Sequence, residues 1–337
     1  MPVLAPNSLV VITGITGYIG SHIGIVALQA GHRVRGTVRS LARSQDVRNV
    51  YAAHGVDVSK LTFALVDDLA SEAQLAAALE DADGIIHVAL AGGVPSIDDK
   101  APQDAVNAAR AILQVAARLS SVKRIVFTSS SSAAYLPIPG FMEDHMTDET
   151  WCDSAIEYFQ HPPGGGKGDE LWEATRYNAT KALSERAAWA WVAENKPAFE
   201  ISTVLPNACF GPVLMGAPRS TAAWIAAILS NQAAFTQRYP PDWFVDVRDV
   251  ARLHVLALTE PELSGRRLWA TAAPFGWNEM FAIFRKHFPQ VQVPEDIPGV
   301  QGEPAKFTIE NEVGRKALGE WTSLEKSIVD TAKSIGY

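Results

Sequence analysis

Tyr177 and Lys181 stand four residues apart in Tyr-Asn-Ala-Thr-Lys, a spacing that puts two side chains on one face of a helix. A phenol ordinarily keeps its proton up to a pH of about 10. An ammonium one turn away favours the phenolate and would bring Tyr177 within range of acid–base work near neutrality. From Arg124 to Ser132 the chain reads Arg-Ile-Val-Phe-Thr-Ser-Ser-Ser-Ser, an apolar run that ends in hydroxyls. A serine at the carboxyl end of a buried strand can donate a hydrogen bond to a carbonyl oxygen as negative charge develops there. Gly14, Gly17 and Gly20 follow the apolar run at residues 9–13. Between a strand and a helix, Gly14 permits the tight turn and Gly17 lets backbone approach a pyrophosphate. Gly20 lets helix and strand pack closely, and the helix N-terminus turns free N–H groups toward the phosphates. The three features occur in the chain order expected of a dinucleotide-dependent hydride-transfer site.

Such groups need a frame. Short β-branched runs at residues 9–13, 33–38, 61–66, 84–89, 124–128 and 201–205 predict buried strands. Longer Ala- and Leu-rich segments at 18–30, 71–79, 101–119 and 171–194 predict helices between them. The alternation predicts an α/β fold: a doubly wound parallel sheet of Rossmann type with helices on both faces. Its carboxyl edge is where ligands bind. Residues 1–210 form the expected dinucleotide-binding domain with the Ser/Tyr/Lys site. Residues 211–337, where the alternation weakens, are the expected smaller substrate lobe, with some chain returning to the sheet. The polar, Pro- and Gly-rich stretch 141–168 predicts a flexible excursion whose aromatic residues, Phe141, Trp151, Tyr158 and Phe159, offer a lid over the substrate.

The spacing T-G-x-x-G-x-x-G at Thr13 to Gly20 resembles the extended short-chain dehydrogenase/reductase family. The resemblance runs on through Val34 to Ser40, Asp68-Leu69, His87-Val88-Ala89, Phe127 to Ser130, Tyr177 with Lys181, Val204 to Asn207, and Gly211. Fungal NADPH-dependent aldehyde and ketone reductases and the dihydroflavonol reductase/cinnamoyl-CoA reductase group are the nearest look-alikes. The residues alone leave any of Ser129 to Ser132 as the catalytic hydroxyl; the resemblance implies Ser130. It also implies that Tyr177 protonates the substrate carbonyl, and that Lys181 holds the nicotinamide ribose and lowers the Tyr177 pKa. By the same resemblance the coenzyme meets Gly14, Thr16, Gly17, Tyr18 and Ile19 at the turn. Asp68 and Leu69 meet the adenine, and Pro206, Asn207 and Ala208 line the nicotinamide, with Val88, Ala89 and Thr128 completing the coenzyme set. Leu90, where relatives often carry a hydroxyl, and Ala108-Ala109, in place of a common Gly-Thr pair, depart from the pattern and are expected to stand clear of the chemistry.

An acid at the end of the second strand usually marks an NAD enzyme. Residues 33–40 contain none, and Arg39 falls where a 2′-phosphate would lie, with Arg43 as a second charge. A guanidinium fork suits phosphate, so the expected coenzyme is NADPH. The expected reaction is reduction of an aldehyde or ketone to an alcohol. The alternatives are an epimerase or dehydratase that recycles a bound coenzyme, and a non-catalytic NADPH-binding regulator.

Composition narrows the partners. With 29 basic and 37 acidic residues the net charge is −8, a balance that repels nucleic-acid phosphates and anionic membranes. Two cysteines build no disulfide framework, and the eight histidines show no metal-ligand spacing. No signal segment opens the chain and no apolar run approaches membrane-spanning length. A cytoplasmic enzyme acting on a small carbonyl substrate, as a monomer or homodimer and without a metal, is the expectation.

Overall fold

The computed structural model describes residues 2–90, 99–165 and 168–337. The central sheet is built from β1 (Leu9–Thr13), β2 (Arg33–Val38), β3 (Leu61–Leu65), β4 (Gly84–His87) and β5 (Arg124–Thr128). After the two-residue β6 (His145–Met146), the chain adds β7 (Glu200–Pro206), β8 (Ala208–Phe210), β9 (Trp243–Asp246), β10 (Arg267–Ala270), β11 (Ala273–Pro274) and β12 (Thr308–Ile309). Seven strands pair in parallel in the order β10-β7-β5-β4-β1-β2-β3. The order reverses between β1 and β4, which opens a crevice at their carboxyl ends. The doubly wound fold is therefore as expected. β1, β4 and the first four residues of β5 are buried along their length, as both-face coverage requires.

The helices are α1 (Tyr18–Gln29), α2 (Ser44–Ala53), α3 (Glu72–Leu79), α4 (Ala101–Ala116), α5 (Asp153–Gln160), α6 (Glu170–Asn195), α7 (Ala222–Leu229), α8 (Val247–Thr259), α9 (Trp277–His287), α10 (Glu312–Leu318) and α11 (Leu324–Ser334). The sequence reading missed α2. That helix buries only Val47 and Tyr51, four residues apart, on an otherwise polar surface, so its apolar stripe is too thin to stand out. α8 and β10 lie beyond residue 210 yet belong to the core sheet. β10 pairs with β7, and α8 buries Val250, Leu253 and Ala257 in one cluster with Val10 and Ile12 of β1. A second core joins α7, α9 and α11 around Phe210, Trp277, Phe281 and Phe284, beside the small sheet β11-β9-β8.

The stretch 141–168 departs from expectation. It contains α5 and, in β6, a strand that pairs with β12, and it buries Met146, Cys152 and Ala155. Its aromatic residues are spent on packing. Phe141 meets Tyr158 edge-to-face at 5.9 Å, Phe159 stacks on Trp172 of α6 at 5.2 Å, and Trp151 lies under the Arg267 guanidinium at 3.8 Å. Prolines and glycines at its far end suggested flexibility; the apolar residues before them found partners. Gly166 and Lys167 lie outside the described residues.

Candidate active site

β1 delivers the chain to the glycine turn. Gly14 adopts φ +71°, and a Cβ there would come within 3.2 Å of the Ala89 backbone. The Gly17 N–H closes the turn on the Gly14 carbonyl at 2.9 Å. A Cβ on Gly20 would collide with that same carbonyl, so glycine is what brings α1 against the strand. Gly17 is the exposed N-cap of α1 and no side chain caps the helix. Uncapped N–H groups at the positive end of a helix dipole form a cradle that suits a pyrophosphate. The turn therefore fits a dinucleotide. Tyr18 and His22 hold its far side, the Tyr18 hydroxyl donating to the Gly211 carbonyl at 2.7 Å and His22 Nε2 bonding that of Pro212 at 2.9 Å.

The neighbouring strand ends are locked to the turn. Thr13 Oγ1 accepts from the Val88 and Ala89 N–H groups at 3.0 and 3.1 Å and meets His87 Nδ1 at 3.1 Å. This ends β4 two residues earlier than expected and turns Val88 and Ala89 toward the crevice. Arg39 follows β2 directly, is exposed, and has no ion-pair or hydrogen-bond partner among the described residues. Arg43 is instead paired with Asp46 at 3.2 Å. Asp68 is exposed beyond β3, its carboxylate accepting from the Ala70 N–H at 2.9 Å, with Leu69 half-buried beside it. Thr16 and Ile19 stay partly accessible in the turn.

The serine edge separates its four hydroxyls. Ser129 Oγ donates to Glu185 at 2.6 Å. Ser130 caps a short helical turn, its Oγ accepting from the Ser132 N–H at 3.2 Å, and its hydroxyl neighbours that of Tyr177. Ser131 is buried beside Tyr135. Tyr177 and Lys181 both project from α6 as the spacing implied, and Lys181 Nζ donates to the Thr128 carbonyl at 3.1 Å. Thr128 Oγ1 contacts His254 Nε2 at 2.8 Å while His254 Nδ1 bonds the Val250 carbonyl. The carbonyl can only accept, so Nδ1 carries the hydrogen and Thr128 donates to neutral Nε2.

The shift at Tyr177 is upward, opposite to the lowering expected: burial raises its pKa, the Cys209 thiol adds to the rise, and the neighbouring Ser130 hydroxyl opposes it. Burial also brings Lys181 itself down to about 8, against the opposing pull of Glu185. Loss of solvent disfavours the charged form of either group, which raises a phenol and lowers an ammonium.

At the end of β7, Pro206 and Ala208 are buried and Asn207 is half-exposed. The Asn207 side chain is committed, its amide donating to Tyr135 Oη and Asp242, and its oxygen accepting from the Ala208 N–H at 2.7 Å. Leu90, Ala108 and Ala109 do not stand clear of the site. They line a small cavity behind Lys181 together with His87 and Glu185. Sequence reasoning also missed Glu185, Arg267 and His254. Glu185 had a signal, since Tyr177, Lys181 and Glu185 repeat every four residues on one helix face.

The family pattern described as the NAD dependent epimerase/dehydratase family matches residues 10–156. An aldehyde reductase of Sporidiobolus salmonicolor is 30% identical over 98% of this chain and 97% of its own. A ketoreductase of Penicillium rubens is 32% identical over 97% and 96%. A yeast methylglyoxal/isovaleraldehyde reductase, solved with NADPH, superimposes with a TM-score of 0.80 at 22% identity, covering 97% of this chain and 98% of that one. The chain belongs to the NAD dependent epimerase/dehydratase family, the extended short-chain dehydrogenase/reductases.

Proposed function

We propose that this protein is an NADPH-dependent reductase that converts a small aldehyde or ketone to the alcohol. The observation that carries the reading is the Lys181–Thr128 hydrogen bond, which ties α6, with Tyr177 one turn before Lys181, to the carboxyl edge of β5 just before Ser130. The names of the relatives support carbonyl reduction over epimerisation. Gly14, Thr16, Gly17, Tyr18 and Ile19 would hold the pyrophosphate, Arg39 the 2′-phosphate, and Asp68 with Leu69 the adenine. Val88, Ala89, Thr128 and Pro206 to Ala208 would flank the nicotinamide, and Lys181 its ribose. The coenzyme supplies a hydride when bound. Ser130 Oγ and Tyr177 Oη are set to donate to one carbonyl oxygen, and Tyr177 carries the proton that this oxygen receives. Burial keeps that phenol protonated at neutral pH, as a proton donor requires. Strand ends fixed by Thr13 and a helix fixed by Thr128 hold these groups without reorganisation.

Residues 1–210 serve as the coenzyme and catalytic unit and 211–337 mainly as the substrate lobe, with α8 and β10 as the chain that returns. Two buried free cysteines suit a cytoplasmic enzyme, and no described helix is long and apolar enough to cross a membrane. It works as a monomer or homodimer on a small-molecule carbonyl. Following coenzyme absorbance with a panel of aldehydes and ketones tests the reading. Stoichiometric NADPH oxidation with alcohol formation is expected. A tightly held coenzyme that turns substrate over without net oxidation would replace the reading with an epimerase or dehydratase.

A further inference from the structure

Glu185 lies one turn beyond Lys181 on α6 and is almost completely buried. Its carboxylate accepts from Ser129 Oγ at 2.6 Å, Thr203 Oγ1 at 2.6 Å and Arg267 Nε at 2.9 Å. Arg267 comes from β10. Its guanidinium also donates to the Asp148 and Thr150 carbonyls at 2.6 and 2.7 Å and covers Trp151. One buried ion pair thus ties together α6, the serine edge, β7, β10 and the segment before α5. A buried carboxylate is costly unless every lone pair is used. Here it is fully used, and one of its partners, Ser129, is the chain neighbour of Ser130.

We propose that Glu185, held by Arg267, is a positioning residue for carbonyl reduction: it sets the serine edge through Ser129 and places a buried carboxylate one helical turn from Lys181, across the same cavity. The inference rests on the reductase reading above. Lys181 faces Tyr177 and Glu185 on its own helix, His87 from β4 and His254 from α8, while α4 presents only Ala105, Ala108 and Ala109. Burial holds both histidines neutral above a pH of about 4. Glu185 is therefore the charge in this group that favours the ammonium.

Glu185→Gln keeps the shape and one acceptor oxygen but removes the charge. Its melting temperature and NADPH dissociation constant should stay close to those of the parent, while kcat falls about tenfold. The alkaline limb of the kcat–pH profile should move to lower pH, because an unsupported ammonium gives up its proton sooner. An unchanged kcat, or a fall in kcat with the alkaline limb unmoved, would overturn the proposal, the latter leaving Glu185 a purely structural part. Should Glu185→Gln fail to fold, Ser129→Ala removes a single hydroxyl and tests the same link. It should lower kcat about fivefold at unchanged NADPH affinity, and an unchanged kcat sinks the idea. Tyr177→Phe, measured in parallel, separates the failures. Normal turnover in that variant defeats the reductase mechanism itself, whereas a dead Tyr177→Phe beside a normal Glu185→Gln defeats this inference alone.

Discussion

Lys181 donates to the Thr128 carbonyl oxygen at 3.1 Å, and that bond joins the helix carrying Tyr177 to the end of the strand that leads into Ser130. Removing it should be felt on both sides. If one ammonium serves the coenzyme as proposed, as well as the geometry of the site, Lys181→Ala should weaken NADPH binding and lower kcat together. A Lys181→Ala protein with parental kcat and KM would place the lysine outside the chemistry.

Tyr177→Phe deletes one oxygen from a half-buried side chain of α6. The protein should fold and bind NADPH normally while turnover drops about 100-fold or more, the usual scale for a missing proton donor. Steady-state kinetics alongside a coenzyme fluorescence titration make the comparison.

Arg39 is exposed and unpartnered among the described residues, which leaves its guanidinium available to a 2′-phosphate. A charge-assisted contact is worth roughly 1.5–3 kcal/mol, or about 10- to 150-fold in affinity. Arg39→Ala should weaken NADPH by about that factor and leave NADH nearly unaffected. Equal losses for the two coenzymes would assign the phosphate to another residue.

Gly20 faces the Gly14 carbonyl so closely that a methyl group has no room. Gly20→Ala should force α1 away from the turn, costing about 1–3 kcal/mol of stability and loosening NADPH. Thermal melts with and without coenzyme report both, and a variant that melts and binds like the parent would contradict the close packing.

His22, His87 and His254 are buried, and burial lowers each to about 4. In the unfolded chain they titrate near 6.5. Protons therefore bind the unfolded state first. The stability these neutral rings contribute is present above about pH 6.5 and is lost as pH falls towards 4, on the order of 3 kcal/mol per ring. Denaturant midpoints measured across that window should fall steadily. His254→Gln, which keeps a polar side chain of similar size, should flatten the slope.

Much of this protein is legible without coordinates because its signals are local. Short runs rich in β-branched residues mark strands, so β1, β2, β3, β4, β5 and β7 stand out within a residue or two. The glycine turn is legible because φ +71° at Gly14 and the missing Cβ at Gly20 are steric demands of a few adjacent residues. Tyr177 and Lys181 are legible because helical periodicity alone puts them on one face. Distant partners decided the rest. Ser129 and Ser130 are chain neighbours, and only the tertiary structure shows that the Ser129 hydroxyl is spent on Glu185 of α6 while that of Ser130 is not. Arg267 reaches Glu185 from 82 residues away, and no periodicity relates them. The direction of the Tyr177 shift was likewise beyond the sequence. An ammonium four residues off argues for a lower pKa, but the shift is upward with burial its largest cause, and burial is set by everything packed around the ring.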